Sequence, residues 1–268
     1  MEQRAAGLTA GGFPVPCLAI VEGASDPAST AYLRQIQRQF ERHGLATVRR
    51  QPERVDQTAL DSLLAEVGAD PSVQGILLTQ PLPAPLTLDA ALLQMPVAKD
   101  VEGVHPWNAG VLAQGRTSIV PSTPLAGMEI LRANGVALQG AHAVIVGRSP
   151  IVGRPLIHLL LAEHATVTVC HTRTVDLASV TRQADVLLLA AGRANLIDGT
   201  MVKPGAVVID FGINVVDDGI VGDANFASVA EVAGAITPVP GGVGPMTIAM
   251  LLRNTLHARE LADQAEQA

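Results

Sequence analysis

The sequence predicts an α/β protein with two domains. Hydrophobic residues make up 48% of its 268 residues and charged residues 16%, a balance typical of a chain that buries a large core. Short apolar strands alternate with helices along most of the chain, and this alternation predicts parallel strands joined by helical crossovers. A glycine turn near residue 147 begins a second series of strands and helices, which indicates a second domain.

The first series contains three predicted strands. Its elements are strands 18–21, 46–48 and 75–78 and helices 27–43, 58–67 and 86–93. Asp26 and Pro27 form a helix start, because Asp caps the first amides and Pro fits the first turn. Gly44 ends that helix. Residues 1–14 are polar and without periodicity, so we expect a loose arm there.

The second series follows a linking helix that begins at Thr123 and Pro124. The later elements are strands 143–146, 166–169, 185–189 and 206–209 and a C-terminal helix that ends near residue 263. We therefore expect one domain of residues 1–122 plus 247–268 and a second domain of residues 123–246.

The segment 144–155 has the pattern of a strand that passes through a glycine turn into a helix. Such a turn places helix amides where they bind a phosphate. Gly147 permits the tight turn, and Gly153 would let the helix pack close to the sheet. The central glycine of the G-x-G-x-x-G fingerprint is absent, with Ser149 near its place. An ordinary strand–turn–helix joint therefore stays open as the alternative.

The end of the next predicted strand indicates which dinucleotide binds. In a dinucleotide-binding fold this strand ends in an acidic residue that holds the ribose 2′-hydroxyl of NAD. Here the strand 166–169 is followed by His171, Thr172 and Arg173, and no acid stands at its tip. The hydroxyl groups and Arg173, with Arg148 from the first turn, favour a 2′-phosphate, since arginine forms charge-assisted bonds with phosphate. The sequence therefore predicts NADP, with a solvated Arg173 and an unliganded His171 as alternatives.

Charge and composition exclude several classes of protein. A net charge of −7 and a sequence pI near 5.4 argue against a general nucleic-acid binder. No apolar run approaches the length of a membrane span and no charged-then-apolar leader opens the chain, so we expect neither a membrane span nor a signal peptide. Cys17 and Cys170 lie in apolar strands, where buried thiols are expected instead of a disulfide framework. A cytoplasmic protein is the resulting expectation.

Several sequence blocks occur together in an order and spacing that resembles one family. They are Asp-Pro-Ala-Ser with a following Tyr at 26–32, Lys-Asp-Val-Glu-Gly at 99–103, Pro-Ser-Thr-Pro at 121–124, the glycine turn at 146–153, Thr-Val-Thr with Cys-His at 166–171, Val-Ile-Asp-Phe-Gly-Ile-Asn at 208–214, and Thr-Pro-Val-Pro-Gly-Gly-Val-Gly-Pro-Met-Thr at 237–247. Over roughly residues 15–257 the chain resembles the bifunctional methylenetetrahydrofolate dehydrogenase/methenyltetrahydrofolate cyclohydrolase family, often called FolD. The last block is the most specific of the set.

The resemblance implies a fold, an activity and a set of binding residues. The fold is two α/β domains around a cleft: a folate-binding catalytic domain and a Rossmann-like NAD(P)-binding domain through which members usually form homodimers. The activity is NADP-dependent oxidation of methylenetetrahydrofolate, followed in many members by hydrolysis of the methenyl product. The implied cofactor-binding residues are Gly147, Arg148, Ser149, Ile151, Val152, Gly153, His171, Thr172, Arg173 and Ile213. The implied folate-binding residues are Tyr32, Gln80, Glu102, Pro240, Gly241 and Gly242. The resemblance also implies that this chain lacks the first strand and helix that family members usually have.

Three positions of the family's folate pocket differ in this chain. The family's tyrosine matches Tyr32, but its catalytic lysine, four residues later, is replaced by Ile36. Thr79 stands at the glutamine position of a Gln-Leu-Pro-Leu-Pro run, and Gln80 stands at its leucine position. Glu102 replaces the pterin-binding aspartate of Lys-Asp-Val-Asp-Gly.

These departures predict that the family's two activities separate. Hydrolysis needs a positioned acid or base, worth about 10²–10⁴-fold. Ile36 cannot transfer a proton, and the chain's two lysines, Lys99 and Lys203, offer no easy substitute. We therefore expect cyclohydrolase activity to be very weak or absent. Hydride transfer needs no general base, because proximity and orientation supply most of its acceleration, so we expect dehydrogenase activity to remain.

Other interpretations stay open from the sequence. Tyr32, Ile36 and Phe40 recur at i, i+4 and i+8, as in a buried helix stripe. Glu102 has the features of a solvated loop acid, and Trp107 is expected to pack in the core. The altered pocket also fits a paralogue with a different folate-type substrate or a non-catalytic binding role. An unrelated NADP oxidoreductase would require the block at 237–247 to be a coincidence.

Overall fold

The computed structural model of the protein describes residues 15–23, 27–116, 119–217 and 219–267. The predicted N-terminal arm and the predicted helix cap Asp26 lie outside these residues, so both stay predictions.

Two compact units make up the chain. The first comprises Met1–Val111, Thr117–Ser122 and Ile248–Ala268, and the second comprises Leu112–Arg116 and Thr123–Thr247. In chain order the strands and α-helices are β1 (Cys17–Val21), α1 (Pro27–Arg42), β2 (Ala46–Arg50), α2 (Gln57–Ala69), β3 (Gly75–Leu78), α3 (Leu88–Gln94), α4 (Pro106–Ala113), α5 (Ser122–Ala133), β4 (His142–Val146), α6 (Gly153–Ala162), β5 (Thr166–Cys170), α7 (Leu177–Thr181), β6 (Val186–Leu189), β7 (Val207–Asp210), β8 (Asn214–Val216), β9 (Gly219–Val221), α8 (Phe226–Ala230), β10 (Ala235–Ile236) and α9 (Val243–Gln267).

The first unit contains a three-stranded parallel sheet in the order β2-β1-β3. Every residue of β1 and β3 is buried, which is why both strands are continuously apolar instead of alternating. Successive residues of β1 face opposite sides of the sheet. Leu18 and Ile20 pack in one apolar cluster with residues of α1 and α9, and Ala19 and Val21 pack in another with residues of α2 and α3.

Helix α1 follows its prediction with one informative exception. Ile36 and Phe40 are fully buried in the cluster shared with α9, as a buried helix stripe requires. Tyr32, which the stripe interpretation also placed in the core, is instead 43% exposed. The helix ends at Arg42, and Gly44 takes a φ of 72°, which confirms the predicted glycine stop.

The second unit contains a five-stranded parallel sheet in the order β10-β7-β6-β4-β5. Strand β4 lies between β5 and β6, so the chain adds its next strand on one side of β4 and the following strand on the other. In a doubly wound sheet this change of direction opens a crevice at the carboxyl ends of the strands, where ligands bind. The predicted two-domain α/β fold with a parallel, Rossmann-like sheet is confirmed.

Some features differ from the sequence prediction. Helix α4 and the antiparallel hairpin β8–β9 were not predicted, because both are short and the hairpin has no alternating pattern. Trp107 was expected to pack in the core, but it is 67% exposed on α4, so that prediction was wrong. Cys17 and Cys170 are buried free thiols, as predicted. None of the described helices combines the length and apolar character that a membrane crossing requires.

Candidate cofactor cavity and folate-side residues

A cavity of about 360 Å³ opens at the carboxyl ends of β4, β5 and β6 in the second unit. Its lining residues are Val146, Gly147, Arg148, Ser149, His171, Thr172, Thr174, Leu177, Ala190, Ala191, Arg193 and Leu196. These strands are the ones that surround the change of direction in the sheet, so the cavity lies where a doubly wound fold binds its dinucleotide. The wall carries two arginines and, among the described residues, no carboxylate.

The glycine turn after β4 forms one wall of this cavity. Gly147 has a φ of 135° and donates its N–H to the carbonyl of Cys170 at 2.9 Å. A Cβ at Gly147 would collide with the carbonyl oxygen of Ala190, so both conformation and space require glycine there. A Cβ at Gly153 would collide with the carbonyl oxygen of Gly147. Gly153 therefore allows α6 to pack against the turn, whereas the sequence analysis expected it to pack against the sheet.

Ser149, which stands near the missing glycine of the fingerprint, bonds to the start of α6. Its hydroxyl accepts the N–H groups of Val152 at 3.1 Å and Gly153 at 3.4 Å, and its carbonyl accepts the N–H of Arg154 at 3.0 Å. Three of the amides that a phosphate would use at a helix N-terminus are thus bonded to one residue. Of the predicted cofactor residues in this turn, Gly147, Arg148 and Ser149 line the cavity, and Ile151, Val152 and Gly153 do not.

The loop after β5 forms a second wall. The His171 N–H donates to the hydroxyl of Thr174 at 2.8 Å, and His171 Nδ1 accepts the N–H of Arg173 at 3.1 Å. Neutral His171 therefore carries its proton on Nε2. His171 and Thr172 line the cavity as predicted, but Arg173 does not, and its exposed position is compatible with the solvated alternative.

The loop after β6 contributes Arg193, a cavity residue that the sequence analysis did not single out. This loop is held by Asp223, whose side chain is fully buried. Asp223 Oδ2 accepts the N–H groups of Ala191 at 2.5 Å and Gly192 at 3.0 Å, and Oδ1 accepts those of Arg193 at 2.8 Å and the Asn214 side-chain amide at 3.0 Å. No sequence fingerprint marks this arrangement, because Asp223 lies 30 residues or more beyond the loop.

Asp210, at the end of β7, holds the segment that carries Asp223. Its carboxylate accepts the N–H groups of Gly212 at 2.8 Å, Asp223 at 3.1 Å and Ala224 at 2.8 Å. Burial and the neighbouring Asp223 charge raise the pKa of Asp210, and the three amides oppose that rise. These bonds give Asp210 a structural role at the end of β7.

A smaller cavity of about 120 Å³ lies elsewhere in the second unit. Ile213 and Ile220 from the hairpin line it together with Pro240, Gly241 and Gly242. Its other lining residues are Thr123, Asp210, Phe211, Gly212, Pro238, Val239, Val243 and Gly244. Gly241 has a φ of 101°, and a Cβ at Gly242 would collide with the carbonyl oxygen of Pro238. These glycines therefore fix the turn itself, and the structure brings the predicted Ile213 together with the predicted Pro-Gly-Gly segment.

In the first unit, the loop that carries Glu102 packs against β3. Asp100 forms a bridge with Ile76 and is fully buried. Its Oδ2 accepts the His105 N–H at 2.8 Å and the Asn108 amide at 2.9 Å, whereas its Oδ1 has no hydrogen-bond partner among the described residues. Buried carboxylate oxygens are normally paired, so Oδ1 of Asp100 departs from that rule.

Helix α9 fixes the same loop from a distant part of the chain. The side-chain amide of Asn254 donates to the carbonyls of Val101 and Val120, both at 2.8 Å. Gly103 has a φ of 63°, and a Cβ there would lie 2.5 Å from the carbonyl oxygen of Ile119. The backbone around Glu102 is therefore fixed on both sides.

Glu102 itself is partly exposed and accepts no hydrogen bond from the described residues. Burial, with a smaller contribution from the charge of Asp100, raises the pKa of Glu102 to about 8. Burial also raises the pKa of Tyr32, and the nearby Glu102 carboxylate raises it further, so these two side chains share one region. Glu102 is therefore a partly buried loop acid, and the solvated loop acid of the sequence analysis describes only part of its surroundings.

The other predicted folate-side positions lie on β3 and α1. Thr79 follows β3, is partly buried and donates its N–H to the carbonyl of Val21 at 2.9 Å. Gln80 is exposed and precedes a cis peptide bond to Pro81. Ile36 is 0% exposed in the apolar cluster, so its side chain is part of the core of the first unit.

Both lysines of the chain bond to other groups. Lys99 Nζ donates to the carbonyl of Asp70 at 2.6 Å, and burial lowers the pKa of Lys99. Lys203 Nζ, in the second unit, bonds to Asp185 at 2.6 Å. Among the described residues, no group of three or more His, Cys, Asp or Glu side chains is placed to bind a metal ion.

Comparison with known proteins agrees with this geometry. Two family models match: the NAD(P)-binding domain of tetrahydrofolate dehydrogenase/cyclohydrolase over residues 121–263 and the catalytic domain of the same family over residues 1–102. The bifunctional protein FolD of Roseiflexus sp. (strain RS-1) is 52% identical over 247 residues, which cover 91% of this chain and 86% of that protein. FolD of Bordetella avium is 51% identical over 260 residues, which cover 96% of this chain and 91% of that protein.

Solved structures show the same relation. The bifunctional FolD methylenetetrahydrofolate dehydrogenase/cyclohydrolase of Campylobacter jejuni superposes with a TM-score of 0.94 at 42% identity, covering 97% of this chain and 93% of that chain. The Trypanosoma brucei methylenetetrahydrofolate dehydrogenase-cyclohydrolase, in complex with NADP and an inhibitor, superposes with a TM-score of 0.93 at 34% identity, covering 97% and 92%.

Proposed function

Because this chain belongs to the tetrahydrofolate dehydrogenase/cyclohydrolase family, we propose that it is an NADP-dependent methylenetetrahydrofolate dehydrogenase with little or no cyclohydrolase activity. The observation that carries this proposal is the burial of Ile36, which the resemblance puts at the family's lysine position, inside an apolar cluster of the first unit. The second unit separately contains a cavity with the features of a dinucleotide site. The first feature removes a proton carrier, and the second leaves hydride transfer intact.

The wall of the 360 Å³ cavity fits NADP. Arg148, His171 and Thr172 follow β4 and β5, where the adenosine ribose binds in this fold, and the described wall carries no acid that would hold a ribose hydroxyl. A guanidinium forms charge-assisted bonds with a phosphate, so Arg148 is our candidate for the 2′-phosphate. NADP bound there would supply the hydride acceptor of the reaction.

On the folate side, Glu102 is the proposed pterin ligand. The pterin ring presents an N–H and an amino group as neighbouring donors, and Glu102 is a carboxylate with no protein donor among the described residues. Tyr32, exposed beside it, offers an aromatic face. Loss of a hydride from the methylene carbon leaves a cation shared by the two flanking nitrogens, and no proton is released. The protein's contribution to this step is binding and orientation.

Hydrolysis of the methenyl product makes a different demand. Water adds to the cationic carbon and must lose a proton before the ring opens, so a positioned base contributes about 10²–10⁴-fold. Ile36 cannot serve, Thr79 is too short to replace the family's glutamine, and both lysines bond elsewhere. We therefore propose that the methenyl product leaves this enzyme largely unhydrolysed.

The test follows both half-reactions on purified protein. We expect NADPH formation from methylenetetrahydrofolate, detected by absorbance, and decay of added methenyltetrahydrofolate at the buffer rate. Failure to reduce either NADP or NAD would refute the dehydrogenase assignment. Enzyme-accelerated decay of the methenyl compound at the rate of a bifunctional relative would refute the loss of cyclohydrolase.

We also propose that the protein is a homodimer that associates through its nucleotide-binding unit. Among the described strands, β5 pairs only with β4, and an open parallel edge favours association with another chain. Leu161, near this edge on α6, is 53% exposed. Light scattering should give twice the chain mass, and Leu161→Asp should shift the population towards monomer. A monomer in the wild-type protein would refute the proposal.

A further inference from the structure

We propose that Arg193 binds the pyrophosphate of the dinucleotide and that the buried Asp223 positions it. This inference rests on the proposed function for the identity of the dinucleotide, but it concerns a residue that no part of the glycine fingerprint includes. It follows from the bonds already made at the start of α6 and from the way the loop after β6 is held.

The glycine turn offers fewer free donors than its position implies. A dinucleotide pyrophosphate normally binds to the first amides of the helix after the first strand. Here the amides of Val152, Gly153 and Arg154 all donate to Ser149. Donors from elsewhere on the cavity wall are therefore needed to compensate the charge of the pyrophosphate.

Arg193 is the group placed to supply them. It lines the same cavity as Arg148 and Ser149, and its guanidinium has no carboxylate partner among the described residues. It enters from the β6 side of β4, whereas the ribose-binding loop with His171 enters from the β5 side. Arg193 is thus placed opposite the 2′-phosphate end of the cavity, which separates its role from that of Arg148.

Asp223 makes this placement rigid. Its carboxylate accepts the N–H of Arg193 itself and those of the two preceding residues, so it fixes the backbone from which the guanidinium extends. The same oxygen that accepts from Arg193 also accepts from the Asn214 amide. With four donors the carboxylate is saturated, and we assign it a positioning role and no ligand contact.

The experiment measures displacement of fluorescent NADPH by two fragments. ADP-ribose carries the pyrophosphate without the 2′-phosphate, and 2′-AMP carries the 2′-phosphate without the pyrophosphate. Arg193→Ala should raise the Kd of ADP-ribose about tenfold, the value of one charge-assisted bond, and leave that of 2′-AMP unchanged. Arg148→Ala should show the reverse pattern. Arg182→Ala removes an exposed arginine that lies outside the cavity wall, and it should change neither Kd.

The role of Asp223 is tested by coupling. Asp223→Asn replaces one acceptor oxygen by a donor group facing amides, so it should raise the Kd of ADP-ribose several-fold. In the Asp223→Asn background, Arg193→Ala should raise the Kd of ADP-ribose by a much smaller factor than it does in the wild-type background, because the arginine is already displaced. Additive effects would overturn the positioning role. Arg193 is exposed, so Arg193→Ala keeps the proposal testable even where Asp223→Asn does not fold.

The outcomes separate the two proposals. An unchanged Kd for ADP-ribose in Arg193→Ala, or an equal loss of ADP-ribose and 2′-AMP, would overturn the inference about Arg193 and leave the proposed function standing. Dinucleotide binding with no folate oxidation would overturn the proposed function alone. Wild-type protein that binds neither NADPH nor ADP-ribose would overturn both.

Discussion

Two loops with carboxylates, one in each unit, differ in how their hydrogen bonds are satisfied. In the second unit, Asp223 accepts four hydrogen bonds and Asp210 accepts three. In the first unit, Asp100 keeps one buried oxygen without a partner, and Glu102 accepts none from the described residues. A saturated carboxylate holds the backbone in place, whereas the partly exposed Glu102 keeps its acceptors for other partners. This difference fits the proposed roles, in which Asp223 positions a loop and Glu102 contacts the ligand.

The first unit also bears on the proposed loss of hydrolysis. It keeps two acids with unused acceptors, and Ile36, at the position where the resemblance puts the family's lysine, is fully buried. In the proposed function Glu102 binds the folate, and hydrolysis requires a base in addition.

The largest expected effect restores the missing base. Ile36→Lys with Thr79→Gln should raise hydrolysis of methenyltetrahydrofolate by about 10²–10⁴-fold over the unaltered protein, as followed by loss of its absorbance. Ile36→Lys alone should gain less, because without a glutamine at position 79 no polar partner orients the new amine towards the reacting carbon. Ile36→Met is the matched control, with a stem of similar length and no amine. Equal hydrolysis in the Met and Lys variants would contradict the assignment.

The next effect concerns Asp210, a buried carboxylate of the second unit that accepts three hydrogen bonds. Asp210→Asn keeps the volume but turns an amino group towards backbone N–H donors, so it should lower the free energy of unfolding by about 2–4 kcal/mol. Urea denaturation followed by circular dichroism measures the change. Asp217→Asn, on an exposed turn residue, is the control and should lie within about 0.5 kcal/mol of the wild type. A similar small change for Asp210→Asn would mean that its three bonds contribute little.

Most of the fold follows from sequence patterns because those patterns are local. Continuous apolar runs predicted the buried strands, and Gly147 marked the turn after β4 correctly. Arg193 had no local signal, since its place depends on Asp223, a residue far along the chain. The state of Glu102 was likewise hidden, because Asn254 on α9 fixes its loop.

The exposure of side chains on helices was only partly predictable. Tyr32, Ile36 and Phe40 share a helical face by spacing, yet the first is exposed and the others are buried. The spacing of residues determines which of them share a helix face. Tertiary packing determines how far along the helix an apolar cluster covers that face. Trp107 shows the same limit, since it was expected to pack and α4 exposes it.

A third prediction uses the pKa of Glu102. With a pKa of about 8, Glu102 is mostly protonated at pH 7, and a protonated acid loses one of the acceptors that the pterin donors need. The value of kcat/KM for methylenetetrahydrofolate should therefore rise with pH by up to about tenfold per unit and level off above pH 8. Glu102→Gln should have a lower kcat/KM with little pH dependence over this range. An unchanged pH profile in that variant would contradict the role of Glu102.

The smallest expected effect is on stability and comes from the same group. Because folding raises the pKa of Glu102 from its ordinary 4.5 to about 8, the folded state binds the proton more tightly than the unfolded chain does. The free energy of unfolding should therefore fall as pH rises from about 4.5 to 8. Glu102→Gln removes this titration, so it should stabilise the protein by about 1–2 kcal/mol at pH 8 and by much less at pH 4.5. The expected stabilisation is smaller than the full pKa shift would give, because Glu102 is partly exposed and solvent screens its charge. Urea denaturation at the two pH values measures the difference, and equal effects at both would show that Glu102 is not strained in the ligand-free protein. A variant that is more stable but binds folate less well would be expected of an acid kept for its ligand, in contrast to Asp210, where substitution costs stability.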